Sequence, residues 1–413
     1  MPGTASVGVR AMEFRLLLVI LAAATVLLPA PALLLLAQLE APPAKAVRVD
    51  ALELIGQWGA DISPDGRTVA VALLHKGIWG DYRREDLFVE AELWDFRAKR
   101  RLAHRTVSHR PNIAVTTAEW GQVRYTTDGR VLLIYDGELL NVLNAETLKE
   151  ITRIDLGLPA MPREAEVVDL AAPHDAHGQL AVLVSRGAGR GGAVRLYSLE
   201  TGVLRRTWEF EHGYPESGGH LAWRPDGKRL AVTLPPVLPG QRLPKDEKTL
   251  EVLDPDSGKI LLRLNTGYLA GPVAYTADGK VLTSTAEMPW TLPSGTHAIK
   301  VWDATTGRLL REIQSPPTGV RGSMELSADG RRLIGYIGME NSANPTQDPE
   351  TIFGIREQRF RLWELPGGRT VVTSRPIEPN VAKRAQLRLS ARGNFVLVFW
   401  KYGDKPVLVY QVP

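Results

Sequence analysis

The chain has 413 residues, 44% hydrophobic and 23% charged, and a net charge of +4 from 50 Lys and Arg against 46 Asp and Glu. These are globular proportions, and the scattered basic residues, densest at Lys99-Arg100-Arg101, leave no nucleic-acid footprint. There is no cysteine, which excludes disulfides and thiolate metal sites.

In chain order, a short tail (1–15) carries Arg10 and Arg15 and precedes an uncharged run from Leu16 to Leu39. As a helix this run would extend roughly 36 Å, enough to cross a hydrocarbon core of ~30 Å. The preceding arginines favour a cytoplasmic N-terminus and export of everything after Glu40. An uncleaved anchor over 16–39 is favoured by length. The core of a cleaved signal peptide is the other reading, kept open by Pro29 and Pro31, which would kink a spanning helix, although the small-x-small site Ala44-Lys45-Ala46 lies well past the end of the run. Met12 is an alternative start. Residues 40–47 read as a linker.

From residue 48 onward an Asp-Gly turn returns every fifty to sixty residues or so, a period that signals propeller blades. It reads Pro64-Asp65-Gly66, Thr127-Asp128-Gly129, Pro225-Asp226-Gly227, Ala277-Asp278-Gly279 and Ala328-Asp329-Gly330, with degenerate copies at Asp175-Ala176-His177-Gly178 and Ala391-Arg392-Gly393. The fourth copy displays the unit most clearly. His220 to Trp223 and Arg229 to Thr233 flank the Asp-Gly turn, and Thr249 to Asp254 and Ile260 to Leu264 flank Asp256-Ser257-Gly258. Such turns between short apolar runs predict a four-stranded antiparallel sheet. Apolar on both faces, it must stack on copies of itself.

The third strand of each unit ends in an aromatic or apolar residue followed by a polar one. Examples are Trp94-Asp95, Leu143-Asn144, Tyr197-Ser198, Leu253-Asp254, Trp302-Asp303 and Trp363-Glu364, and the last unit ends in Val409-Tyr410. Together with Ile62-Ser63-Pro64-Asp65-Gly66, these residues resemble the WD-repeat family over residues 48 to 413. The family's Gly-His dipeptide is missing from most units. The resemblance implies an all-β, seven-bladed propeller. Its last unit lacks a fourth strand, and 48–54 is the spare segment expected to supply it.

Motifs with a chemical meaning are few. Gly187 to Gly192 spells GxGxxG, but a strand follows it where a dinucleotide fold needs a helix. His174 to His177 occupies an Asp-Gly turn position, and Asp254 to Gly258 lacks the later ligands of a calcium loop. No GxSxG or HExxH is present. No catalytic constellation, metal site or cofactor is expected. The informative signal is loop length, because turns on one side of the blades are uniformly tight while insertions gather on the other. Long loops on a rigid scaffold are the usual place for binding residues. Trp79, Tyr82, Arg83, Tyr214, Trp290 and Arg321 in those loops are the candidate binding residues, being of types enriched at hot spots. The expectation is a non-enzymatic recognition module with another protein as partner, tethered to a membrane through its N-terminal helix. The alternative is an exported lactonase- or quinoprotein-like enzyme, with His109, His212 and His297 converging on the ring axis.

Overall fold

The computed structural model describes residues 44–45, 47–54, 57–75, 88–109, 122–137, 139–158, 166–173, 178–185, 191–210, 219–233, 249–266, 269–287, 298–314, 325–327, 329–340, 355–365, 367–375, 377, 385–400 and 406–413. The segment 16–39 lies outside them, and so does its expected helix. Among the described residues no helix is long and apolar enough to cross a membrane.

Seven sheets follow one another along the chain, each built on four antiparallel strands. We number these blades 1 to 7. Blade 1 comprises Gln57–Ile62, Thr68–His75, Phe88–Asp95 and Arg100–His109, paired in that order. Blades 2 to 6 repeat the pattern, blade 6 with a fifth, two-residue strand at its outer edge. Blade 7 takes three strands from Ala385–Leu389, Phe395–Trp400 and Val407–Gln411. Its fourth is Val47–Leu52, which pairs antiparallel with Val407–Gln411, Leu52 opposite Val407 and Val47 opposite Gln411. The first strands of neighbouring blades approach one another, and Ala385–Leu389 of blade 7 meets Gln57–Ile62 of blade 1. The ring is therefore closed, with first strands innermost and fourth strands on the rim. The fourth strands of blades 2 and 4, Glu150–Asp155 and Ile260–Leu264, alternate in exposure, as an outer edge should.

The recurring sequence pairs have local explanations. In the Asp-Gly turns the aspartate accepts the backbone N–H two residues on, from Arg67 to Asp65 at 3.0 Å and from Lys280 to Asp278 at 3.1 Å. A hydroxyl two residues earlier, Ser63, Thr126, Thr276 or Ser327, donates to the same carboxylate. The polar residue ending the third strand does the equivalent work in the next turn. Asp303 Oδ1 accepts the N–H groups of Thr305 and Thr306, and Asp95 Oδ1 those of Arg97 and Ala98. These are Asx-type caps, satisfying donors that a turn would otherwise leave unpaired. Gly330 shows why the turn residue is fixed: its φ is +65°, and a Cβ there would lie 2.9 Å from the Tyr275 carbonyl oxygen of the adjacent blade. Blades 1 and 2 accept Lys99 and Leu148 at positive φ where later blades use glycine.

Seven apolar clusters lie one between each pair of neighbouring blades. The blade 7–blade 1 seam contains Phe395, Leu397 and Phe399 against Ile62, Val71 and Phe96. Among the described residues the blade 5–blade 6 seam is smaller, gathered on Leu326, Leu333 and Trp363. Burying each such side chain contributes about 1.5–3 kcal/mol, so the stability of the body resides in these seams.

Candidate functional site

The inner strands carry a connected set of charges into the axis. Counting back five residues from the turn glycine gives Asp61 in blade 1, Arg124 in blade 2, Ala222 in blade 4, Ala274 in blade 5, Glu325 in blade 6 and Arg388 in blade 7. Blade 3, whose turn sequence Asp175-Ala176-His177-Gly178 departs from Asp-Gly, contributes Asp169 from the strand Glu166–Ala171.

Each of the three carboxylates accepts a backbone N–H from the following blade. Asp61 Oδ1 accepts its own neighbour's N–H, Ile62, at 2.8 Å, while Oδ2 accepts the N–H of Tyr125 in blade 2 at 2.8 Å. Asp169 does the same with Leu170 and with Leu221 of blade 4, both at 2.9 Å. Glu325 Oε2 accepts the N–H of Leu389 in blade 7 at 2.8 Å. An innermost strand has an edge facing the axis with no further strand to pair with, and these acids satisfy its donors. Each is a staple from one blade to the next.

The arginines tie the staples together. Arg124 Nη1 reaches Glu325 Oε1 at 3.2 Å, from blade 2 to blade 6 across the axis, and its Nη2 lies 3.8 Å from Asp169. Arg388 Nη1 stands 3.8 Å from the same Glu325 oxygen and donates to the Leu387 carbonyl at 3.0 Å. His220 Nδ1 is 3.8 Å from Asp169.

Burial raises the pKa of Asp61 and Glu325, and the neighbouring guanidiniums only partly oppose this. Burial also disfavours charge on Arg124, but Glu325, Asp169 and Asp61 together outweigh it and its pKa rises. In Arg388 burial, aided by repulsion from Arg124, prevails and lowers the pKa. Burial likewise lowers that of His220, against the pull of Asp169. A histidine held below its ordinary value binds fewer protons folded than unfolded. Its contribution to stability is present above about pH 6.5 and is lost as pH falls through the folded value. That contribution should decline on acidification below about pH 6.5, opposed by the raised carboxyls of Asp61 and Glu325, and His220→Gln should remove it from the profile. Parallel curves for the two proteins in chemical denaturation would show that His220 binds protons equally in the folded and unfolded chains, so that the fold does not lower its pKa.

The six loop residues named from sequence, Trp79, Tyr82, Arg83, Tyr214, Trp290 and Arg321, lie outside the described residues, as do His212 and His297. His109 ends the outermost strand of blade 1, opposite Phe88, on the rim and not on the axis. The histidine that does reach the axis is His220. Sequence reading missed the axial set because each member is one charged residue in an ordinary strand. The fixed distance to the turn glycine would have aligned Asp61, Arg124, Glu325 and Arg388, though not Asp169 or His220. No group of three or more His, Cys, Asp or Glu able to hold a metal occurs among the described residues.

No protein-family model and no curated protein matches the sequence. Solved structures do. A chain of the mitotic checkpoint complex is 16% identical, covering 91% of this chain and 97% of that one with a TM-score of 0.53. Another, from Kuenenia stuttgartiensis hydrazine synthase, is 16% identical, covering 90% and 97% with a TM-score of 0.54. The fold is a seven-bladed β-propeller. At this identity the likeness carries the propeller and not an activity, since one relative is part of a protein complex and the other bears an enzyme's name.

Proposed function

We propose that this propeller is of the WD-repeat-like kind, exported and membrane-tethered, and that it recognises another protein through the face carrying its long loops. The observation that carries the reading is the commitment of the axial carboxylates. Every oxygen of Asp61, Asp169 and Glu325 is engaged by a backbone N–H or a guanidinium of the ring itself. Groups committed in this way to joining the blades favour a structural role at the axis. Recognition then falls to the loops, where Trp79, Tyr82 and Trp290 stand with arginines in the sequence.

The test is capture of partners from native membranes, followed by binding measurements on variants. Trp79→Ala, Tyr82→Ala and Trp290→Ala should each weaken the captured complex about thirtyfold, with stability changed by less than about 1 kcal/mol. Arg67→Ala and Lys280→Ala, on the tight-turn face, should leave it unchanged. Loss with the second pair and retention with the first would place recognition on the wrong face. An enzyme with an axial site would instead lose turnover on substitution of Arg124 or His220 while retaining every partner.

A further inference from the structure

One position recurs in the third strand of the blades, two residues before the aromatic or apolar residue that precedes the cap. It is Glu92, Asn141, Arg195, Glu251, Lys300 and Arg361 in blades 1 to 6. In five of the six it has a protein partner. Glu92 accepts from Arg101 at 2.6 Å, and Glu251 from Arg263 at 2.9 Å. Asn141 donates to Asp136 at 3.1 Å. Arg195 donates to the Leu156 carbonyl and Lys300 to that of Asn265 at 3.0 Å, each reaching the blade before its own.

Arg361 is different. It makes no hydrogen bond or ion pair with any described residue, and its Nε is buried without a partner. Burial lowers its pKa, and no carboxylate opposes that shift. A half-buried guanidinium without a counter-charge is costly, and the usual remedy is an anion. The surroundings fit one. Gly335 lies opposite Arg361 on one side and Thr373 on the other, so the glycine places no side chain beside the guanidinium while the threonine offers a hydroxyl. Arg359, two residues away on the same face of the strand, brings a second guanidinium. Paired guanidiniums beside a hydroxyl match the planar or tetrahedral oxygens of carboxylate and phosphate.

We propose that Arg361 and Arg359, on the blade 6 face that looks toward blade 5, form a cleft that binds an oxyanion, the carboxylate or phosphoryl group of a ligand. This goes beyond recognition by the loop face and stands or falls separately from it.

The test uses the unmodified full chain and phenylglyoxal, which modifies accessible guanidiniums, with the sites mapped by peptide mass. Inorganic phosphate or acetate is added at constant ionic strength against chloride. We expect one of the two to slow modification of Arg361 at least fivefold while leaving Arg67 unaffected, and the more effective one identifies the source chemistry. Arg361→Gln should weaken the accompanying thermal stabilisation by that anion about tenfold or more in concentration, and Arg263→Gln should not. Equal modification of Arg361 in chloride, phosphate and acetate would overturn the proposal. So would protection of Arg67 to the same extent. If Arg361→Gln fails to fold, the protection experiment on the wild-type chain still decides. Loss of a protein partner through loop substitutions with protection at Arg361 intact, or the reverse, separates the two readings.

Discussion

Replacing Glu325 by Ala is expected to cost about 3–5 kcal/mol of folding stability, the range for removing one partner of a buried ion pair. That range applies because the Glu325 side chain is only 20% exposed and Arg388 only 12%. The substitution strands Arg124, Arg388 and the Leu389 N–H together, leaving two guanidiniums near the axis with less anion to share. Against a typical stability of ~5–15 kcal/mol this is a large fraction, and the variant should denature at markedly lower urea concentration. Glu325→Gln should be milder, because an amide oxygen still accepts from Leu389. A loss under about 1 kcal/mol for the alanine variant would mean that the axial charges are screened by water and close nothing.

Deleting 47–54 should be at least as damaging. It removes the partner of Val407–Gln411 at five paired positions and uncovers a strand whose residues are buried along nearly its whole length. Lost ladder hydrogen bonds contribute roughly 0.5–1.5 kcal/mol each, and the apolar area of Leu52 and Leu54 is lost with them. The truncated propeller should melt much earlier or aggregate through the new edge. Adding a synthetic peptide of 47–54 should recover part of the loss. A melting temperature unchanged by the deletion would show that this pairing does not hold the ring.

Much of the fold was legible in the sequence, and the reason is chemical. An Asp-Gly turn needs a positive φ at its glycine and an acid to cap it, so Asp65-Gly66, Asp128-Gly129, Asp226-Gly227 and Asp278-Gly279 cannot drift far in spelling. The Trp-Asp pairs were legible for the same reason, although their meaning was not. Asp303 is there to cap a turn, and Trp302 to fill a seam while donating to Ser284 at 2.9 Å. The axis was not legible as a site. Asp61, Arg124, Glu325 and Arg388 look like any polar residue of an amphipathic strand, and only closure of the ring brings blade 2 against blade 6. Nor could the sequence distinguish Arg361 from Arg195 or Lys300, because a missing partner is a fact about space.

The pairing of Leu52 with Val407 also fixes an order of events. About 355 residues separate the two, and at roughly 5–20 residues per second a ribosome takes some 20–70 s to make them. Throughout that time the first blade-forming strand to emerge has no mate, and six blades accumulate with the ring open. The strand Val407–Gln411 acts as a completion signal for the ring. A chain interrupted before Val407 exposes sticky edges on both sides of the gap in the ring, which is what holding chaperones and quality-control proteases detect, while synthesis through Gln411 hides both in one step.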